Sequence, residues 1–100
     1  DMGYDFKALA REIDDNTVIV YICNPNNPTG TLADPAELRR FILSVPAHIL
    51  VFVDEAYLEI ADTGLKPNTM IPLVNVRKNM LVTRTFSKGH GMAGLRFGYG

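Results

Sequence analysis

Three polar clusters in this chain carry the side chains that could do chemistry. NPNNPTG (24–30) offers amides, above all Asn27 between two prolines. DEAY (54–57) offers the Asp54 carboxylate and the Tyr57 phenol. TRTFSK (83–88) offers the hydroxyls of Thr85 and Ser87 and the Lys88 amine, and the Gly-rich GHGMAGLRFGYG (89–100) adds Arg96. An amide, an acid beside a phenol, and an amine with hydroxyls and a guanidinium form a set that suits a flat, charged, phosphorylated cofactor.

Each group has a plain reading when taken alone. Lys88 is a loop lysine. Just past a buried strand and followed by Gly89, it can also be held in a partly desolvated site, where desolvation and nearby cations such as Arg96 would free its amine to condense with an aldehyde as a Schiff base. Asp54 follows five apolar residues, so its carboxylate is poorly hydrated and needs a cation or donor; a protonated ring nitrogen would serve, and so would a turn that it caps. Glu55 points away from Asp54 if the extended geometry persists, which makes it a supporting or surface group. Asn27 sits in a loop stiffened by Pro25 and Pro28, where it is either a fixed donor or a turn former. Thr85, Ser87 and Arg96 suit a phosphate, and glycines at 89, 91 and 94 would let the backbone approach it closely. The single cysteine, Cys23, lies in an apolar run and reads as a packed thiol. No metal site is expected.

The clusters share a context. Each terminates an apolar run: 18–23, 49–53 and 80–82. Val/Ile-rich runs separated by helical segments read as buried parallel strands, and ligands of open parallel sheets sit beyond the strands' carboxyl ends. The expected elements are a helix over 6–13 capped by Asp5, strands over 17–23, 49–53 and 80–85, and a helix opening at Pro35 with Asp34 as cap and ending at Pro46. A loop is expected over 59–68, a helical turn over 71–76, and a fourth strand beginning at 97–99. The fold class is α/β: three layers, α/β/α, around a mainly parallel sheet.

Bulk properties narrow the function. A 47% hydrophobic composition argues against disorder, and a net charge of -1 without a Lys/Arg run argues against nucleic acid as a partner. No apolar run approaches the ~18 residues of a membrane span, so no membrane partner is expected and a cytoplasmic location is the default. The chain opens at Asp1 and stops in FGYG, which reads as part of a longer protein. Two other patterns have to be weighed. GHGMAG (89–94) matches GxGxxG, and LVFVDE (50–55) resembles the strand-plus-acid element of P-loop ATPases, so a nucleotide-binding domain is the rival from another class. The first lacks the acidic residue expected ~20 positions on, and the second lacks a GxxxxGK[ST] segment. A non-catalytic domain that keeps the fold for assembly would have no need for Lys88, Asp54, Asn27 and Arg96 together.

NPNNPTG, then VDEAY, then TFSKGHGMAGLRFGYG, in this order and spacing, resembles the fold type I pyridoxal-phosphate enzymes of aminotransferase class I/II, and among them the histidinol-phosphate aminotransferases. The resemblance spans nearly the whole chain. It implies that 1–100 is the central part of the cofactor-binding large domain, without its N-terminal part or the C-terminal small domain. It implies pyridoxal 5'-phosphate as cofactor, linked to Lys88, with Asp54 on the pyridine nitrogen. Asn27 and Tyr57 would bond the phenolic oxygen, and Thr85, Ser87 and Arg96 would hold the phosphate. It implies transamination between an amino donor, histidinol phosphate, and a 2-oxo acid such as 2-oxoglutarate, in histidine biosynthesis, by a homodimer whose neighbouring subunit contributes to the site. Aromatic or aspartate-type aminotransferases, and a related decarboxylase acting on threonine phosphate, share these cofactor residues. The segment alone is expected to have little or no activity.

Overall fold

The computed structural model describes residues 2–61 and 68–100. Helix α1 (Phe6–Arg11) begins where the Asp5 carboxylate accepts the Ala8 N–H at 2.9 Å, and it stops two residues short of the expected span. Strand β1 (Ile19–Cys23) follows a turn in which Asp14 accepts from Asn16 N–H and the Thr17 hydroxyl; that turn holds Thr17 and delays the strand. Helix α2 (Pro35–Ser44) starts as expected, with Pro35 in its first turn and one Asp34 oxygen accepting from both Ala36 and Glu37 N–H at 2.9 Å. Its Leu38, Phe41 and Ile42 are buried at helical spacing. Strand β2 (Leu50–Asp54) reaches one residue further than expected and takes in Asp54 itself. Helix α3 (Leu58–Ala61) replaces the start of the expected loop, and the rest of that loop, 62–67, lies outside the described residues. A 3-10 turn (Ile71–Asn75), strand β3 (Met80–Thr85), a second 3-10 turn (Ala93–Leu95) and strand β4 (Gly98–Tyr99) complete the order.

The sheet order is β1-β2-β3-β4. The first three strands are parallel, with Cys23↔Asp54 and Asp54↔Thr83 in register, and β4 turns back antiparallel to β3. This is the mainly parallel α/β sheet that the alternation of strands and helices predicts. The strands are not buried on both faces, however. Ile22, Val51, Val53, Met80 and Val82 point to one face and pack with Leu38, Phe41 and Ile42 of α2 and with Met70 and Leu73 around the 3-10 turn. The opposite face presents Ile19, Tyr21 and Leu81, with Tyr21 54% exposed. The period-2 alternation of side chains makes the division, and α2 and the Ile71–Asn75 turn fall on the same side of it. Tyr4 covers the outer edge of β1, donating its phenol to Cys23 C=O at 2.9 Å and accepting Cys23 N–H at 3.0 Å; burial raises that phenol's pKa. Arg77 closes the opposite end of the core by donating to the carbonyls of Val45, Pro46 and Ile49 at 2.7–2.8 Å. Among the described residues no helix is long and apolar enough to cross a membrane.

Candidate active site

Parallel strands in matched register end at one rim, so the three polar clusters emerge side by side. At β1 the chain turns into NPNNPTG. Asn24 is 1% exposed and is held at both ends: its N–H donates to Asp54 C=O at 2.9 Å and its side-chain oxygen accepts Ala33 N–H at 2.8 Å. The first Asn of the motif is therefore a buried strut. Asn27 is exposed, and its flanking residues Asn26, Pro28 and Gly30 line a cleft of about 280 Å³ together with Tyr57, Ile60 and Ala61 of the next cluster. Gly30 takes φ +71°, a conformation costly for any residue with a Cβ.

At β2, Asp54 caps a turn, one of the two readings of its carboxylate, and also gains a donor from the neighbouring strand. One oxygen accepts Ala56 N–H at 3.0 Å and so caps the following turn; the other accepts the Tyr21 phenol at 2.9 Å. The turn then brings Tyr57 under Lys88, whose Nζ lies 5.1 Å from the ring centroid, within the range of a cation–π contact. Lys88 is exposed, and among the described residues the Tyr57 ring is the group its ammonium faces. Thr85 donates its hydroxyl to Phe97 C=O at 3.4 Å and accepts Ser87 N–H at 3.1 Å, which folds the chain between β3 and Lys88 into a tight turn. The β3–β4 pairing, with Thr85 opposite Gly98, returns Arg96 to this end of the sheet. Arg96 has the left-handed φ of 52°, and its guanidinium donates to Ala93 C=O at 2.9 Å. The structure thus joins Asn27 with Tyr57, Tyr57 with Lys88, and Thr85 with Ser87, while Arg96 is turned onto its own loop.

Gly89 is required by a protein contact: a Cβ there would lie 2.9 Å from Glu59 Cβ. No protein atom lies within 4 Å of a Cβ built on Gly91 or Gly94, and Gly91 has a φ of +68°. GHGMAG leads into three residues of 3-10 turn rather than a helix, so the context required of a dinucleotide loop is missing.

Glu55 is not at the surface. It is 0% exposed and accepts from Arg84 Nε at 3.0 Å, the Thr69 hydroxyl at 2.8 Å and Met70 N–H at 2.6 Å, with Arg84 Nη2 also at 3.0 Å. Arg84 Nη1 reaches Glu59 on α3 at 3.2 Å. Although burial opposes its charge, the hydrogen bond and charge of Glu55, with the charge of Glu59, raise the Arg84 pKa. This network ties β2, α3 and β3 together beneath the rim. Residue types gave no sign of it. Alternation did carry a signal: Glu55 and Arg84 fall on the core face of their strands, where a lone charge cannot stay unpaired. Tyr21 was also missed; it lies one diagonal step from Asp54 on the open face.

All of residues 1–100 match the family model of aminotransferase class I and II, and the chain belongs to that family. It is 50% identical over 99 residues to an aromatic amino acid aminotransferase of Mycolicibacterium smegmatis, covering 99% of this chain and 27% of that protein. It is 49% identical over 100 residues to a histidinol-phosphate aminotransferase of Geobacillus thermodenitrificans, covering 100% and 27%. The fold matches the crystal structure of a histidinol-phosphate aminotransferase from Sinorhizobium meliloti in complex with pyridoxal-5'-phosphate, with TM-score 0.72 and 35% identity over 93% of this chain and 24% of that one. The chain spans about a quarter of the length of the curated relatives it matches. Class I/II aminotransferases use pyridoxal phosphate. The donor set here fits that group: an amine for its aldehyde, a carboxylate for its ring nitrogen, an amide and a phenol for its phenolic oxygen, and hydroxyls with a guanidinium for its phosphate.

Proposed function

We propose that this chain is the central part of the cofactor-binding large domain of a pyridoxal-phosphate aminotransferase, and that the full-length enzyme is a cytoplasmic homodimer. The observation that carries the reading is Lys88 Nζ over the Tyr57 ring, at the rim where Tyr57 and the Asn27 loop line one cleft and Asp54 ends the adjoining strand. Bound there, pyridoxal phosphate supplies an electron sink for charge leaving the donor's α carbon. Asp54 would accept from the ring N–H and so keep that nitrogen cationic. Asn27 and Tyr57 would orient the ring by donating to its phenolic oxygen. Thr85, Ser87 and Arg96 would hold the phosphate. Lys88 would hold the group at its aldehyde carbon, and its free Nζ would serve as general base toward the donor's α carbon.

For the amino donor we propose histidinol phosphate, with a 2-oxo acid such as 2-oxoglutarate as acceptor. The likeness of the three motifs and the relatives of that name support this. An aromatic amino acid is the second reading, favoured by the relative of that name, 50% identical against 49% for the histidinol-phosphate aminotransferase. Borohydride reduction of the full-length enzyme with its cofactor, followed by peptide mapping, should leave a stable adduct on Lys88. In Lys88→Ala the adduct and the turnover should both be lost, and an adduct on a different lysine in the wild type would overturn the assignment. Comparing histidinol phosphate with phenylalanine as donor, at equal 2-oxoglutarate, decides between the two substrates.

A further inference from the structure

We infer that Tyr21 is a positioning residue for Asp54, fixing through its phenol the carboxylate that meets the cofactor ring; the inference rests on the function proposed above. Asp54 has two oxygens and a separate anchor on each. Ala56 N–H holds one at 3.0 Å, and the Tyr21 phenol holds the other at 2.9 Å. With the Ala56 contact alone, the second oxygen would be free to swing about the carboxylate's own bond. With both, the plane of the group is set. The phenol is itself held in place: its ring meets the Phe52 ring edge-on, at 5.3 Å between centroids and 88° between planes, and Phe52 lies two residues before Asp54 on the same strand.

The chemistry also limits what the phenol can do. A tyrosine has one proton to donate, and here Asp54 receives it. The titratable groups facing the phenol are Asp54 on β2 and Cys23 on its own strand. Burial first, then the hydrogen bond and charge of Asp54, raise its pKa well above the ordinary value, so it remains a donor throughout the neutral range. Each carboxylate oxygen has two lone pairs. Tyr21 occupies one on its oxygen and leaves a second for a ring N–H. Tyr21 thus determines the direction from which the ring nitrogen can approach.

The test uses the full-length enzyme with Tyr21→Phe, Asp54→Asn and the double variant. Tyr21→Phe keeps the ring on Phe52 and removes only the hydroxyl. It should weaken pyridoxal-phosphate binding by the apoenzyme about tenfold, in keeping with loss of a hydrogen bond to a charged group. It should lower kcat while leaving KM for the 2-oxo acid and the urea midpoint unchanged. In the Asp54→Asn background the same change should weaken binding less than about twofold, because the partner is already altered. Alkaline ultraviolet titration of the apoenzyme gives a readout that needs no cofactor. The wild type minus Tyr21→Phe difference should show one tyrosine ionising above the ordinary range, and in Asp54→Asn that ionisation should move down. Cofactor affinity and kcat unaltered by Tyr21→Phe, or effects of the two variants that multiply independently, would overturn the inference. Failure of the underlying reading would look different: no cofactor adduct on Lys88 in the wild type.

Discussion

Replacing Arg84 by methionine should be the most damaging single change beneath the rim. Met matches much of the arginine stem but carries no charge. Glu55, which is 0% exposed, would lose the donors at Nε and Nη2, both 3.0 Å away, together with its counter-charge. It would keep the Thr69 hydroxyl and Met70 N–H. Removing one partner of a buried ion pair costs ~3–5 kcal/mol, and the two surviving donors place this case near ~3 kcal/mol. Glu59 adds to the loss: its Oε1 would lose Arg84 Nη1, and its Oε2 is already buried without a hydrogen-bond partner. Against a typical total of ~5–15 kcal/mol, a loss of that size is large. The assay is urea unfolding of the full-length apoenzyme. A second substitution separates charge burial from packing: Glu55→Gln in the Arg84→Met background removes the stranded charge and should recover about 2 kcal/mol, whereas Glu55→Gln alone should destabilise, since it weakens an intact pair. An Arg84→Met enzyme within about 1 kcal/mol of wild type, or one made worse by Glu55→Gln, would refute the account of Glu55 as a buried, ionised partner.

Other substitutions probe separate links. Gly89→Ala should lower stability by about 1–3 kcal/mol, because the new methyl meets Glu59 Cβ at 2.9 Å and α3 must shift; thermal denaturation reads the loss, and cofactor binding should weaken with it because α3 follows directly from Tyr57. Asp34→Ala should cost about 1 kcal/mol through loss of the α2 cap, which accepts from both Ala36 and Glu37, with Asp34→Ser recovering most of it in the same denaturation assay. Arg77→Ala removes a donor from the carbonyls of Val45, Pro46 and Ile49, of which Pro46 keeps Ile49 N–H, and should lower the urea midpoint by the equivalent of about 2 kcal/mol, without changing the cofactor dissociation constant.

The chain's local chemistry was readable from its residues. Asp34-Pro35 starts a helix because a carboxylate can accept the first free N–H groups and proline needs no donor there, and α2 begins at that point. Val/Ile-rich runs became parallel strands, and the polar cluster after each came to the same rim, because parallel strands in register end together. The choice of an amide, acid, phenol, amine and hydroxyls was likewise written in residue types, which is why the cofactor class could be inferred from three short motifs. What the order of residues did not reveal was which face each side chain would take and which distant partner it would find there. Glu55 and Arg84 are 29 positions apart and Tyr21 and Asp54 are 33 apart. Both pairs form only when neighbouring strands fix their register, and one step along a strand reverses the face. Asp54 and Glu55 are adjacent, yet one meets a half-exposed phenol on the open face and the other is buried with a guanidinium on the helical face. Local propensity acts over a few residues, but the pairing that sorts these two acids requires the whole sheet.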